Sequence, residues 1–156
     1  MIATNQTVDT LQSLIKINND RVTGYEKAAE QIKSSDADLY PIFTKMAAES
    51  REYAATLNNL LQQFGEEVET DTTAPGKIYR AWMDVKNAFA GSNRKSILSS
   101  CEYGEDAAQK AYKEALEDAY DDDNELHSGL RNTILQQQQS LKEAHDKIKS
   151  LRDSAF

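Results

Sequence analysis

GEEVETDTTAPGKIYRAWMDVKNAFAGS, residues Gly65–Ser92, is the stretch that decides the fold. Its first part, GEEVETDTTAPG, is polar and rich in helix breakers, so it reads as a loop. Ile78, Trp82, Val85 and Phe89 then recur at helical spacing and define a short amphipathic helix over about residues 77–90. Gly91 ends it. The whole stretch is far longer than an antiparallel turn requires. A connection of this length can run the height of a helical bundle and leave the helices on either side of it parallel. The short helix is expected to lie across the bundle and bury Trp82.

Each flank of this stretch reads as a helical hairpin. Upstream, Val8, Leu11, Ile15, Asn18, Val22, Tyr25, Ala29 and Ile32 alternate steps of three and four, the seam of a bundle helix over about residues 7–34. Thr7 is expected to cap it, and Ser34, Ser35 and Asp36 break it. Leu39, Phe43, Met46, Ser50, Tyr53, Leu57, Leu60 and Phe64 carry a second seam over about residues 38–64. Asp38 is its expected cap, Pro41 falls in the first turn where a missing N–H is harmless, and Gly65 suits a left-handed stop. Downstream, Ser92 or Asn93 caps a third helix over about residues 93–120, with Leu98, Cys101, Glu105, Ala108, Tyr112, Ala115 and Ala119 on one stripe. DAYDDDNE is the next turn, and Asp123 or Asn124 caps a fourth helix over about residues 124–153. Leu130, Ile134, Gln137, Leu141, His145, Ile148 and Leu151 form its seam. The expected fold is all-α: one domain, 1–156, a four-helix bundle of two antiparallel hairpins joined by a long crossover with a short helix.

Composition narrows the function classes. The 156 residues carry 26 acidic and 18 basic side chains, a formal charge of −8. Nucleic acid and anionic membrane both select clustered positive charge, so neither is an expected partner. The one cysteine, Cys101, excludes an internal disulfide and reads as a small core residue rather than a reactive thiolate. MIATNQTVDT lacks the basic and apolar regions of a leader, and no run is long enough for a membrane span. A cytoplasmic protein is expected.

Polar residues on the seams are the informative exceptions. Asn18, Ser50, Glu105 and His145 fall on apolar stripes, and counting from each turn places them near mid-bundle. Each needs a partner, because an unpaired buried polar group costs about 1–3 kcal/mol. Di-iron bundles place a glutamate on each of two helices and a Glu-x-x-His pair on each of the others. Here Asn18, Ser50 and Tyr53 stand at such positions, and Lys142 sits three residues before His145, where an ammonium would oppose a metal. A second set, Glu26, Glu49, Glu52, Glu102 and Glu105, could form an all-oxygen cation site, or could simply pair with Lys27, Lys45 or Arg51 at the bundle edge. Tyr25, Tyr53, Tyr103 and Tyr112 could surround the polar layer with phenols. The Asp121–Asp123 run lacks the glycine and glutamate that a calcium loop requires, and no phosphate loop, dinucleotide fingerprint or catalytic triad is present.

GYEKAAE at Gly24–Glu30, FTKMAAESREYAATL, IYRAWMDVK, CEYGEDAAQKAYKEAL and AHDKIKSLRD resemble a bacterial family known as domain of unknown function 2383, described as ferritin-like four-helix-bundle proteins. The resemblance runs from about Val8 to Asp153 and implies a ferritin-like bundle in the bacterial cytosol. The wider similarity to rubrerythrin and ferritin places their ligand positions at Asn18, Ser50 and Tyr53, with only Glu105 and His145 resembling retained ligands. Iron chemistry is therefore not expected, and no cofactor is. The leading expectation is a non-enzymatic, stress-associated or scaffolding bundle acting through a protein partner or self-association, with Trp82 and Phe89 of the crossover as contact candidates. The competing one is a divergent metal-dependent oxidase holding iron or manganese on Glu26, Glu49, Glu52, Glu102, Glu105 and His145.

Overall fold

The computed structural model describes residues 5–30, 32–74, 76, 79–80, 82, 94–118 and 125–155. Four helices are found there: α1 (Asn5–Glu30), α2 (Leu39–Gln63), α3 (Arg94–Asp118) and α4 (Glu125–Asp153), with a 3₁₀ turn at Ser34–Asp36. No strand occurs among the described residues. α1 begins before Thr7, so that residue sits buried in the first turn rather than capping it. Asp38 occupies the N-cap of α2 without using its side chain as a cap. Its carboxylate instead receives a fork from Arg94 Nη1 and Nη2 at 2.8 and 2.7 Å, which ties the start of α3 to the first hairpin's turn. α2 stops as its sequence predicts. Gly65 has φ +83°, the Gly65 N–H donates to Gln62 O and the Glu66 N–H to Leu61 O, the pair of bonds that closes a helix on a left-handed glycine.

Helix directions follow from which side chains meet. Asn18 and Arg21 of α1 reach Ser50 and Met46 of α2, so this pair is antiparallel. Asn18 also meets Tyr112, and Arg21 meets Glu105, so α1 and α3 are antiparallel too. Tyr112 meets Gln137 and Glu102 meets Arg152, which makes α3 and α4 antiparallel. α2 and α3 therefore run in the same direction, as a crossover of this length allows. The crossover can be followed along α1. Lys16 pairs with Glu69 at 3.2 Å, the Asn19 amide donates to Asp71 O at 2.9 Å, and Thr73 donates to Asp20. Asn58 of α2 holds Glu69 from the other side.

Tyr79, Arg80 and Trp82 are helical, and Trp82 is fully buried as expected. Ile78, Val85 and Phe89 lie outside the described residues. The Trp82 indole sits in a notch between α1 and α3 made by two glycines. A Cβ on Gly24 would lie 2.5 Å from Trp82 Cε3, and one on Gly104 would lie 2.7 Å from Cε2 and Cζ2. Tyr25 closes the notch with its ring centroid 4.9 Å from the indole. An indole without exposed surface is no contact point for another protein, so the expectation for Trp82 changes: it is a wedge that spaces two helices.

The core divides into two apolar clusters. One gathers Tyr25, Phe43, Met46, Trp82, Leu98, Cys101 and Ile148; the other gathers Leu11, Ile15, Leu57, Leu61, Tyr112, Ile134 and Leu141. On α4 the seam takes Ala144 in place of His145, which turns outward and keeps about a fifth of its side chain exposed. Among the described residues no helix is long and apolar enough to cross a membrane.

Candidate functional site

Between the two apolar clusters lies a polar layer built from all four helices. Arg21 is its centre and is fully buried, together with Glu105. Arg21 Nε donates to Glu105 Oε1 at 2.6 Å, and Nη1 donates to Ser50 Oγ at 2.9 Å and Met46 O at 3.0 Å. Tyr25 OH donates to the same Glu105 oxygen at 2.7 Å, and its ring lies 5.2 Å from the guanidinium carbon. Ser50 passes the chain on by donating to Asn18 Oδ1 at 2.9 Å. Asn18 Nδ2 donates to Tyr112 OH at 2.8 Å, and Tyr112 donates to Gln137 Oε1 at 2.7 Å. Gln137 Nε2 completes the chain at Tyr53 O, 3.4 Å away.

Burial opposes the charge on Arg21, yet the Glu105 carboxylate beside it raises the guanidinium pKa above its usual value. The site thus contains a permanent cation. Burial and the same carboxylate push the Tyr25 phenol well up. Burial does the same to Tyr112 and to the Cys101 thiol, which is inert as its sequence setting suggests. Arg21 Nη2 and Glu105 Oε2 have no hydrogen-bond partner among the described residues. These are the two atoms that a side-on Arg–carboxylate fork would join beside the Nε–Oε1 bond.

An iron centre does not fit this layer. A guanidinium stands beside the one inward carboxylate, and the remaining groups are neutral amide, hydroxyl and phenol. Of the sequence-predicted metal candidates, Glu26, Glu49, Glu52 and Glu105 stand in separate surroundings. Glu26 is half-exposed and pairs with Arg51. Glu49 lines a groove of about 480 Å³ between α2 and α4, with Lys45, Glu143 and Lys147 around it. Glu52 is exposed. Glu105 is committed to Arg21 and Tyr25. Glu102 and His145 do meet, at the α3–α4 edge, in company with Asp106. Tyr103 does not join the phenols at the polar layer; it is 63% exposed.

Two residues that sequence reasoning missed hold these places together. Arg21 falls one position off the narrow seam traced through Asn18 and Val22, where a cation reads as solvent-facing. A stripe of the width that packed helices use would have included it, since Ile17, Asn18, Arg21 and Tyr25 share a face at helical spacing. Asp106 lies four residues after Glu102, a spacing that stacks two carboxylates on one face.

A further surface feature lies on α3. Tyr103, Ala107 and Ala111 follow one another at four-residue steps and line a groove of about 530 Å³ with Thr73 and Gly76 of the crossover. Asp106, Lys110 and Glu114 add charge to its lining.

The family model described as Domain of unknown function (DUF2383) matches residues 6–118. The chain belongs to that family. No curated protein and no solved structure matches it.

Proposed function

We propose that this protein is a non-catalytic helical bundle that acts through protein contacts. The observation that carries this reading is the Arg21–Glu105 pair, which fills the mid-bundle position where inward carboxylates would otherwise gather around a metal. A committed carboxylate, an inert thiol and phenols with raised pKa values offer no nucleophile or base for turnover. The α3 groove supports the contact half of the reading. Tyr103, 63% exposed at its rim, is of a residue type enriched where proteins meet.

A photo-crosslinking residue in place of Tyr103, in cells expressing the full chain, tests this. The expected result is a discrete adduct, with a partner or a second copy, that the same crosslinker at exposed Glu52 does not give. No adduct, or the same adducts from both positions, overturns the contact surface. The competing oxidase reading needs its glutamates to converge, and the separate pairings of Glu26 and Glu105 lend it no support.

A further inference from the structure

We propose that Glu102, Asp106 and His145 form a binding site for a first-row divalent cation of the zinc type, at the edge of the α3–α4 seam and apart from the interior layer. Glu102 and Asp106 stand one turn apart on α3, and His145 faces them from α4. His145 Nε2 lies 2.6 Å from Asp106 Oδ1 and 3.9 Å from Glu102 Oε1. One ligand atom from each of the three residues falls within 4.8 Å of the others.

The surroundings orient these atoms as metal sites do. His145 Nδ1 lies 3.1 Å from Asp146 Oδ1, so this carboxylate accepts the Nδ1 proton and directs Nε2 at the two acids. Carboxylate support of the distal nitrogen is the usual companion of a metal-bound imidazole. Arg152 holds the other oxygen of Glu102, which leaves Oε1 turned toward the histidine. Metal–ligand bonds of about 2.1 Å separate tetrahedral donor atoms by about 3.4 Å. The separations of 2.6 and 3.9 Å at Nε2 bracket that spacing, and the Asp106 side chain, 60% exposed, has room to turn. On binding, the cation replaces the Nε2 proton, which leaves to solvent, and three protein ligands leave the outer coordination positions to water. One imidazole with two carboxylates suits zinc, manganese or ferrous ions better than calcium, and zinc binds more tightly than the other two.

This site does not depend on the protein-contact reading: its ligands lie outside the polar layer, and although Asp106 also lines the Tyr103 groove, cation binding is read on the isolated chain without any partner. Calorimetric titration of the full chain with Zn²⁺ tests it. We expect one ion per chain in the wild type, no saturable binding in His145→Ala or Asp106→Asn, and a 10–100-fold weaker affinity in Asp146→Asn. Glu26→Gln is expected to bind as the wild type does. His145 and Asp106 are part-exposed, so both variants keep the fold, which circular dichroism verifies. Absence of one-to-one binding in the wild type overturns the site, as does undiminished binding in His145→Ala.

Discussion

At the scale of single residues, the buried acids set the protein's response to alkali. Cys101, Tyr25 and Tyr112 are fully buried, and each has its pKa raised, first of all by that burial. The folded chain therefore keeps protons that the unfolded chain gives up. Their effect on stability is absent below the ordinary values of 9.0 for the thiol and 10.0 for the phenols, and stability falls as pH rises past them. Each group adds a slope of about 1.4 kcal/mol per pH unit once its unfolded form is ionised. Urea midpoints measured from pH 8 to 11 should start to fall near the thiol value and fall faster above the phenol value. In Cys101→Ala the first fall should disappear while the second remains. The residues behind this response were largely legible in the sequence: Cys101, Tyr25 and Tyr112 sit on the expected seams, as do Asn18, Ser50 and Glu105. Arg21 was not, because long basic side chains are read as solvated unless a partner is visible, and Glu105 is distant in sequence.

At the scale of elements, the crossover does more than connect. Its tryptophan enters the gap between α1 and α3, and that gap exists because Gly24 and Gly104 face it. Alanine at either position gains helix propensity of up to about 1 kcal/mol, but drives a methyl into an indole with no room to move. Overpacking of this kind costs about 1–3 kcal/mol and should outweigh the gain. Gly24→Ala and Gly104→Ala should therefore lower the urea midpoint and shift Trp82 fluorescence to the red. Gly129→Ala, where a methyl meets nothing within 4 Å, should raise the midpoint. Equal behaviour at all three positions would contradict the wedge. The crossover was readable from its polar and breaker-rich composition, and its length allowed the parallel course of α2 and α3. The helix ends were readable where a backbone conformation demands a residue, as at Gly65, and less so where several residues can serve. Thr7 lies inside α1, and the Asp38 carboxylate turns to Arg94. On α4 the seam assignment slipped by one position, since an alanine and a histidine side by side give periodicity little to choose between.

At the scale of the whole molecule, a layer of hydrogen bonds separates two apolar clusters and passes through every helix. Buried ion pairs seldom stabilise a fold more than well-packed apolar groups would, but removing one partner is severe. The layer's role is then to fix which helix faces which, because Asn18, Arg21, Ser50, Glu105, Tyr112 and Gln137 find their partners in one register only. The bundle was legible because its apolar spacing repeats over four long segments. What fills its centre was not, because that depends on side chains brought together from residues up to 94 apart in the chain. Family membership leaves the activity open, so the chemistry of this layer carries the functional reading.

The most direct measurement is a double-mutant cycle on the central pair, read as the urea midpoint and slope of the full chain. Arg21→Met should lose about 3–5 kcal/mol by stranding the Glu105 carboxylate, and adding Glu105→Met should recover most of that loss. An Arg21→Met protein as stable as the wild type would contradict the account, since Glu105 would then have no need of the guanidinium as its counter-charge.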